Sequence, residues 1–315
     1  MTHPTPAAAS GPRAVRYRGR FAPSPSGPLH FGSLVAALGS YLDARAARGE
    51  WLLRIEDVDQ PRSVAGAADD IRRTLEAFAF EWDGEVVVQS RRLDLYHAAL
   101  VRLQLAGDVY PCACSRREVA DSATLASVDG GLVYPGTCRT GVPEGRAARA
   151  WRMRVPDGDA ARLAWIDRGQ GAQTQDLARE VGDFILLRAD GQFAYQLAVV
   201  VDDALQGVTD VVRGADLLAS TPRQIWLQQR LGVAVPRYAH LPVATNAAGE
   251  KLSKQTLAAA LDVNAGSGAL AAALRFLGHA VPAEMASAPL AEFWPWAIAQ
   301  WSMARVPALR GKIPD

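Results

Sequence analysis

Short apolar runs alternate with polar turns along most of the chain, and their spacing switches between that of strands and that of helices. Residues 16–21 end in an apolar step and lead into Ala22-Pro23-Ser24-Pro25-Ser26-Gly27-Pro28, where three prolines and a glycine can continue neither element. From His30 onward, Leu34, Leu38, Tyr41 and Leu42 recur at helical spacing, which predicts a helix with Gly49 as its stop. Trp51-Leu52-Leu53-Arg54-Ile55 then reads as a buried strand. The segment therefore predicts a β-loop-α-β unit, whose two strands should be parallel. Helical patterns follow at about 66–80 and 91–106, and strand patterns at Trp151–Val155, Phe184–Arg188 and Val208–Arg213, with Asp190-Gly191 marking a tight turn. Thr221-Pro222 opens a further helix as cap residue and first-position proline, and Gly232 closes it. The alternation predicts an open α/β sheet of the doubly wound, Rossmann-like type, interrupted by an insert. No internal repeat or coiled-coil heptad is visible.

Composition narrows the classes. The chain has 315 residues, 49% hydrophobic and 21% charged, so it has enough apolar material for two domains' worth of core and none of the signature of disorder. Its formal net charge is +1, so contact with a polyanion would need a local patch. The longest apolar stretch, ending at Val201, is far short of the roughly 20 residues that span a bilayer. Residues 1–14 are Pro-, Thr- and Ser-bearing, without a leucine-rich signal core, so the expected setting is cytoplasmic with no membrane partner. Two oddities point toward chemistry. Of 34 basic residues only Lys251, Lys254 and Lys312 are lysines, and the first two sit three positions apart. All three cysteines, Cys112, Cys114 and Cys138, fall in one window, which in an intracellular chain favours a metal over a disulfide.

The first chemical constellation is Arg20-Phe21-Ala22-Pro23-Ser24-Pro25-Ser26-Gly27-Pro28-Leu29-His30-Phe31-Gly32-Ser33. A helix starting at His30, at the carboxyl end of a strand, would turn free backbone N–H groups and its positive dipole end toward a phosphate. Gly32 permits close approach of a nucleotide, and His30 can donate to phosphate oxygens. The whole string resembles the first signature of class I aminoacyl-tRNA synthetases, and its Pro/Ser run that of the glutamyl branch. Lys251-Leu252-Ser253-Lys254-Gln255 resembles the second signature, the lysine loop. The resemblance implies that Lys254 meets charge growing on the triphosphate and that Lys251 helps position the loop. The match departs from the class at Ser33, where the class has His, and at Gln255, where it has Ser.

The resemblance continues through Arg54-Ile55-Glu56-Asp57-Val58-Asp59, where it implies that Glu56 receives the substrate ammonium. It continues through Phe193–Asp203 and Asp210–Asp216, from which Tyr195 and Arg213 carry over as substrate contacts. Arg20, Ala22, Ser24, Glu56, Tyr195 and Arg213 would thus form a glutamate pocket, and His30, Gly32, Lys251 and Lys254 an ATP site served by Mg2+. Arg20 and Arg213 could each offer a guanidinium fork to a carboxylate, and which one holds the side-chain carboxylate stays open. On residues alone the cysteine window leaves zinc and unliganded thiols both open, since it holds no fourth cysteine and no histidine. The family pattern of Cys-x-Cys, Tyr, Cys implies one structural Zn2+ held by Cys112, Cys114, Tyr134 and Cys138.

These signals divide the chain into a tail (1–14), a Rossmann-like catalytic domain (15–110 and 151–235), a zinc-binding insert (111–150), and a lysine-loop and helical C-terminal region (236–315). That last region, with Leu270–Leu277 and Trp294, Trp296 and Trp301, reads as a short helical appendix packed on the catalytic domain, leaving no room for the family's large anticodon-binding region. The chain therefore resembles the branch of the glutamyl family that lacks it. Membership implies formation of glutamyl-adenylate and transfer of the glutamyl group to queuosine at the wobble position of tRNA(Asp), with the anticodon stem-loop as the bound partner. The alternatives are a truncated synthetase charging a tRNA 3′ end and a non-catalytic RNA-binding module derived from a synthetase.

Overall fold

The computed structural model describes residues 16–128, 130–252 and 259–314. The tail expected over 1–14, and Lys254 and Gln255 of the lysine loop, lie outside these residues. The chain opens with β1 (Arg18–Phe21), α1 (Phe31–Ala46) and β2 (Glu50–Ile55), followed by α2 (Ala67–Ala77), β3 (Val87–Val88) and α3 (Leu93–Leu105). An antiparallel element follows, built from β4 (Val109–Cys112), α4 (Arg116–Ser122) and β5 (Ala150–Met153). The hairpin β6 (Arg162–Asp167) and β7 (Gly171–Asp176) leads through α5 (Leu177–Glu180) to β8 (Phe184–Leu187). The second half of the parallel sheet comes from α6 (Tyr195–Leu205), β9 (Asp210–Gly214), α7 (Thr221–Leu231) and β10 (Arg237–Leu241). The chain then runs through β11 (Val243–Ala244), α8 (Gly266–Phe276), α9 (Leu290–Gln300) and β12 (Gly311–Lys312).

The expected β-loop-α-β unit is present, with β1 and β2 parallel in the register Arg18↔Glu50 to Phe21↔Leu53. Leu34, Leu38, Tyr41 and Leu42 all face the core. α1 ends at Ala46, three residues before the expected stop at Gly49, and Gly49 stands at the entry to β2 for a steric reason: a Cβ there would lie 2.5 Å from the Tyr17 carbonyl oxygen. The sheet has two blocks, β1-β2-β3 and β7-β6-β10-β9, parallel except for the β6–β7 hairpin. They are joined where the Arg18 N–H donates to Thr209 Oγ1 at 2.8 Å and the Thr209 N–H to the Arg18 carbonyl at 2.9 Å. Thr221 proves to be the first residue of α7, with Ser220 in the position before it, so the cap lies one residue earlier than the sequence predicts. Gly232 closes α7 in the left-handed region, as expected.

The cysteine segment is stitched to the body through β4, which pairs with β5 in the register Cys112↔Ala150, and β5 pairs in turn with β8. Among the described residues the two largest apolar cores lie around β1, α1, β2, α8 and α9 and around α3, α6, α7, β5 and β8. The C-terminal tryptophans act as anchors: Trp294 Nε1 donates to the Phe78 carbonyl and Trp301 Nε1 to Asp43 Oδ1, each at 3.1 Å. Among the described residues no helix is long and apolar enough to cross a membrane.

Candidate active site

The loop after β1 is held against the exit of β2. The Glu56 N–H donates to the Pro23 carbonyl at 3.0 Å and the Val64 N–H to that of Pro25 at 2.8 Å. This brings Ser24, which is exposed, into one small cleft with Pro25, Glu56, Asp59, Arg62 and Ser63, with half-buried Ala22 on the same loop. His30 occupies the N-cap of α1, so the backbone N–H groups of residues 31–33 open this 16-residue helix without partners one turn back. The segment leading into the lysine loop folds back toward this end. The Leu252 N–H donates to the Ala244 carbonyl at 2.7 Å, and the Leu252 carbonyl would stand 3.7 Å from a Cβ on Gly32. Lys251 is tied by its Nζ to Asp216 Oδ2 at 2.5 Å. Lys251 and Leu252, the described start of the lysine-loop segment, thus lie beside the N-terminal end of α1.

Beside them lies a buried chain of alternating charges. Arg20 Nε donates to Asp203 Oδ1 at 3.1 Å, Arg54 Nη2 donates to the same oxygen at 2.7 Å, and Arg54 Nη2 also reaches Glu56 Oε1 at 3.1 Å. Burial alone would raise the Asp203 carboxyl, but Arg20 and Arg54 overrule it and hold it below the usual range. At Glu56 burial wins over Arg54 and Arg20, and its pKa is raised. Glu56 is thus already shared with a protein cation, which the sequence reading did not anticipate.

Tyr195, the first residue of α6, and Arg213, on β9, form the adjacent group. Arg213 Nη1 donates to the Tyr195 hydroxyl at 3.2 Å, Nη2 to Thr221 Oγ1 at 2.9 Å and to the Leu217 carbonyl at 3.4 Å, and Nε to His240 Nε2 at 3.0 Å. The expectation that Arg213 offers an open guanidinium fork is therefore corrected: three of its faces are occupied within the protein. What it can present is one remaining Nη1 hydrogen beside the Tyr195 hydroxyl, which accepts from Arg213 and keeps its own proton to donate. Arg20 is likewise committed through Nε to Asp203. Burial pushes the Tyr195 hydroxyl up and Arg213 opposes it, with Glu56 and Arg20 also near enough to act on it, so the two groups of residues lie within electrostatic reach of each other.

The model of the family described as tRNA synthetases class I (E and Q), catalytic domain, matches residues 16–278. The chain belongs to this family. A protein of Dechloromonas aromatica (strain RCB) named Glutamyl-Q tRNA(Asp) synthetase is 66% identical over 92% of this chain and 96% of its own length. One of the same name from Chromobacterium violaceum is 63% identical over 93% and 96%. Among solved structures, the glutamate-tRNA synthetase of Elizabethkingia anophelis superposes with a TM-score of 0.77 at 23% identity, covering 93% of this chain and 67% of that one, a likeness of fold. The chain is accordingly a ligase of the class I aminoacyl-tRNA synthetase family, and the α/β fold with a helical C-terminal part is that of its catalytic domain.

Away from this synthetase site, the three cysteine sulfurs lie within 4.8 Å of one another. The Tyr134 hydroxyl sits 3.4 Å from both Cys112 Sγ and Cys114 Sγ, and Cys114 Sγ is 3.6 Å from Cys138 Sγ. A tetrahedron with sulfur ligands at about 2.3 Å has edges of about 3.8 Å, shortening to about 3.5 Å between sulfur and a closer oxygen. The donor set fits a metal ion both in chemistry and in spacing. The Cys138 N–H donates to the tyrosine oxygen at 2.9 Å, and Arg152 lies 3.8 Å over the tyrosine ring.

Sequence reasoning assigned no role to Arg54, Asp203, Asp167 or His240. The signal available for two of them was a charged or titratable residue inside an apolar strand, Leu53-Arg54-Ile55 and Ala239-His240-Leu241.

Proposed function

We propose that the protein activates L-glutamate with ATP, served by Mg2+, and transfers the glutamyl group to a hydroxyl of queuosine at the wobble position of tRNA(Asp). In the first step a glutamate carboxylate oxygen bonds the α-phosphorus of ATP and pyrophosphate leaves. In the second, a hydroxyl of the modified base attacks the activated carbonyl, loses its proton, and AMP leaves. The observation that carries this reading is the near full-length match, at 66% identity, to a relative named for this reaction.

The geometry supports a role for each group. The α1 N-terminus and His30 would hold phosphate oxygens, and Gly32 would leave room for the nucleotide. Tyr195 and the remaining Arg213 hydrogen would bind the side-chain carboxylate, Glu56 would take the ammonium, and Arg20 would face the reacting end. Ala22 and Ser24 would line the pocket's edge. Lys251, held by Asp216, would set the course of the loop that carries Lys254 toward the triphosphate. Cys112, Cys114, Tyr134 and Cys138 would hold one structural Zn2+, which supplies cross-linking to the segment between β4 and β5 and no chemistry to the reaction.

The test uses labelled glutamate and three acceptors. Label should appear on tRNA(Asp) carrying queuosine, should be absent from tRNA(Asp) of cells that cannot make queuosine, and should persist when the 3′-terminal adenosine is removed. Labelling that needs the terminal adenosine and ignores queuosine would overturn the proposal in favour of 3′-end charging.

A further inference from the structure

Arg213 sits directly opposite His240 in the β9–β10 register. An arginine has only hydrogens to offer, so the 3.0 Å contact from Arg213 Nε requires an unprotonated Nε2 on His240. The other ring nitrogen, Nδ1, is 2.5 Å from Asp167 Oδ2 and must carry the proton that bond needs. Both side chains are fully removed from solvent. Asp167 is itself fixed on its second oxygen: Oδ1 accepts from the backbone N–H groups of Gly169 (3.0 Å), Gln170 (2.9 Å) and His240 (2.9 Å). The turn is moulded to the His240 backbone. A Cβ on Gly169 would stand 2.4 Å from the His240 carbonyl oxygen, and Gln170 Nε2 donates to that same oxygen at 2.9 Å. The ring also stacks on Tyr238, at 6.2 Å between centroids with 12° between planes.

Building on the proposed role of Arg213 as a glutamate contact, we propose that Asp167 and His240 are positioning residues for substrate selection. Asp167 locks the Nδ1–H tautomer of His240, and the bare Nε2 then fixes the guanidinium plane of Arg213. With Nε held by His240 and Nη2 by Thr221 and the Leu217 carbonyl, the one hydrogen left on Nη1 points along a single direction beside the Tyr195 hydroxyl. Neither positioning residue touches glutamate. Their effect is on where the donor for the side-chain carboxylate stands, and a donor fixed in advance loses no rotamer freedom on binding.

Asp167→Asn isolates this effect. Its carbonyl oxygen can keep the three backbone bonds on Oδ1, while its NH2 faces Nδ1 and drives the proton to Nε2, where it meets the Arg213 N–H head-on. Calorimetric titration of the full chain should show the dissociation constant for L-glutamate raised on the order of 10-fold, with that for ATP unchanged. The ring 15N spectrum of wild-type protein at neutral pH should show His240 protonated on Nδ1 alone, and that of the variant on Nε2. His240→Phe keeps the ring packed on Tyr238 but removes the acceptor, and should weaken glutamate to a similar degree. Wild-type His240 protonated on Nε2, or charged, overturns the proposal. So does a folded Asp167→Asn or His240→Phe protein that binds glutamate like wild type, or that loses glutamate and ATP equally. Arg213→Ala locates the fault: if it too binds glutamate normally, the assignment of Arg213 has failed, whereas loss of binding in Arg213→Ala alone leaves that assignment standing and removes Asp167 and His240.

Discussion

Replacing Arg54 with Met tests whether the alternating charges at the end of β2 hold the fold as well as shape the pocket. Arg54 is fully buried, and its partners Asp203 and Glu56 have side chains only 7% and 6% exposed. In the wild type the four groups Arg20, Asp203, Arg54 and Glu56 sum to zero charge. Methionine fills most of the volume but leaves two buried carboxylates facing one guanidinium. Breaking a buried pair by removing one partner costs about 3–5 kcal/mol, because the orphaned charge stays behind in a medium that solvates it poorly. Solvent screening gives no relief at these exposures. The penalty has a pH signature. With Arg54 gone, the pKa of Glu56, already raised by burial, rises further, so the folded variant holds a proton that the unfolded chain has released. A raised carboxyl pKa adds stability below its unfolded value and loses it as pH climbs through the folded one, so the deficit against wild type should be largest at pH 7–8 and shrink by pH 5. Glu56→Gln added to Arg54→Met restores neutrality and should recover at least about 1 kcal/mol of the loss. Urea unfolding followed by tryptophan fluorescence at pH 5 and pH 7.5 reads all of these. A deficit below about 1 kcal/mol, or one that grows as the pH falls, would refute the reasoning.

Two further outcomes follow from the nucleotide and cysteine groups. Lys254→Ala should lower glutamate-dependent exchange of pyrophosphate into ATP by about 100-fold or more while changing ATP binding far less, because the charge it meets develops in the transition state; an unchanged exchange rate removes Lys254 from the mechanism. Elemental analysis should give about one zinc per chain and little in Cys138→Ser, whose segment between β4 and β5 should become protease-sensitive while exchange activity persists; metal-free wild type that resists protease equally well would refute a structural zinc.

The β1–α1–β2 unit was legible because its determinants are local: three prolines in a loop and a four-residue apolar stripe at helical spacing. The helix end at Gly232 was legible for the same reason, whereas α1 stops at Ala46, three residues before Gly49. The candidate site was legible only as far as its motifs reach, which located Arg20, Glu56, Tyr195 and Arg213 but gave the arginines the wrong degree of freedom. A motif names residues one at a time, and how many donors an arginine has left depends on everything else that it touches. Arg54 meets Asp203 across 149 positions and His240 meets Asp167 across 73, separations that no window of sequence spans.

What could have been read is that partners must exist. A parallel strand covered on both faces is apolar throughout, so an arginine at position 54 or a histidine at position 240, each flanked by aliphatic residues, cannot be left uncompensated in such a strand. The identity of the partner is the non-local part, but its chemistry follows from the donor. A guanidinium in the core demands carboxylates, and Arg54 has two. A buried histidine that accepts from a guanidinium on one nitrogen must donate from the other, and His240, with Arg213 on Nε2, has Asp167 as acceptor at Nδ1. Burial then decides the protonation state: it holds the His240 ring down to about pKa 4 against the pull of Asp167, with Arg213 adding to the depression. The imidazole therefore stays neutral and keeps the lone pair that Arg213 requires throughout the neutral range. His240, to which sequence reasoning assigned no role, is thus the residue whose charge state decides what Arg213 Nε can meet.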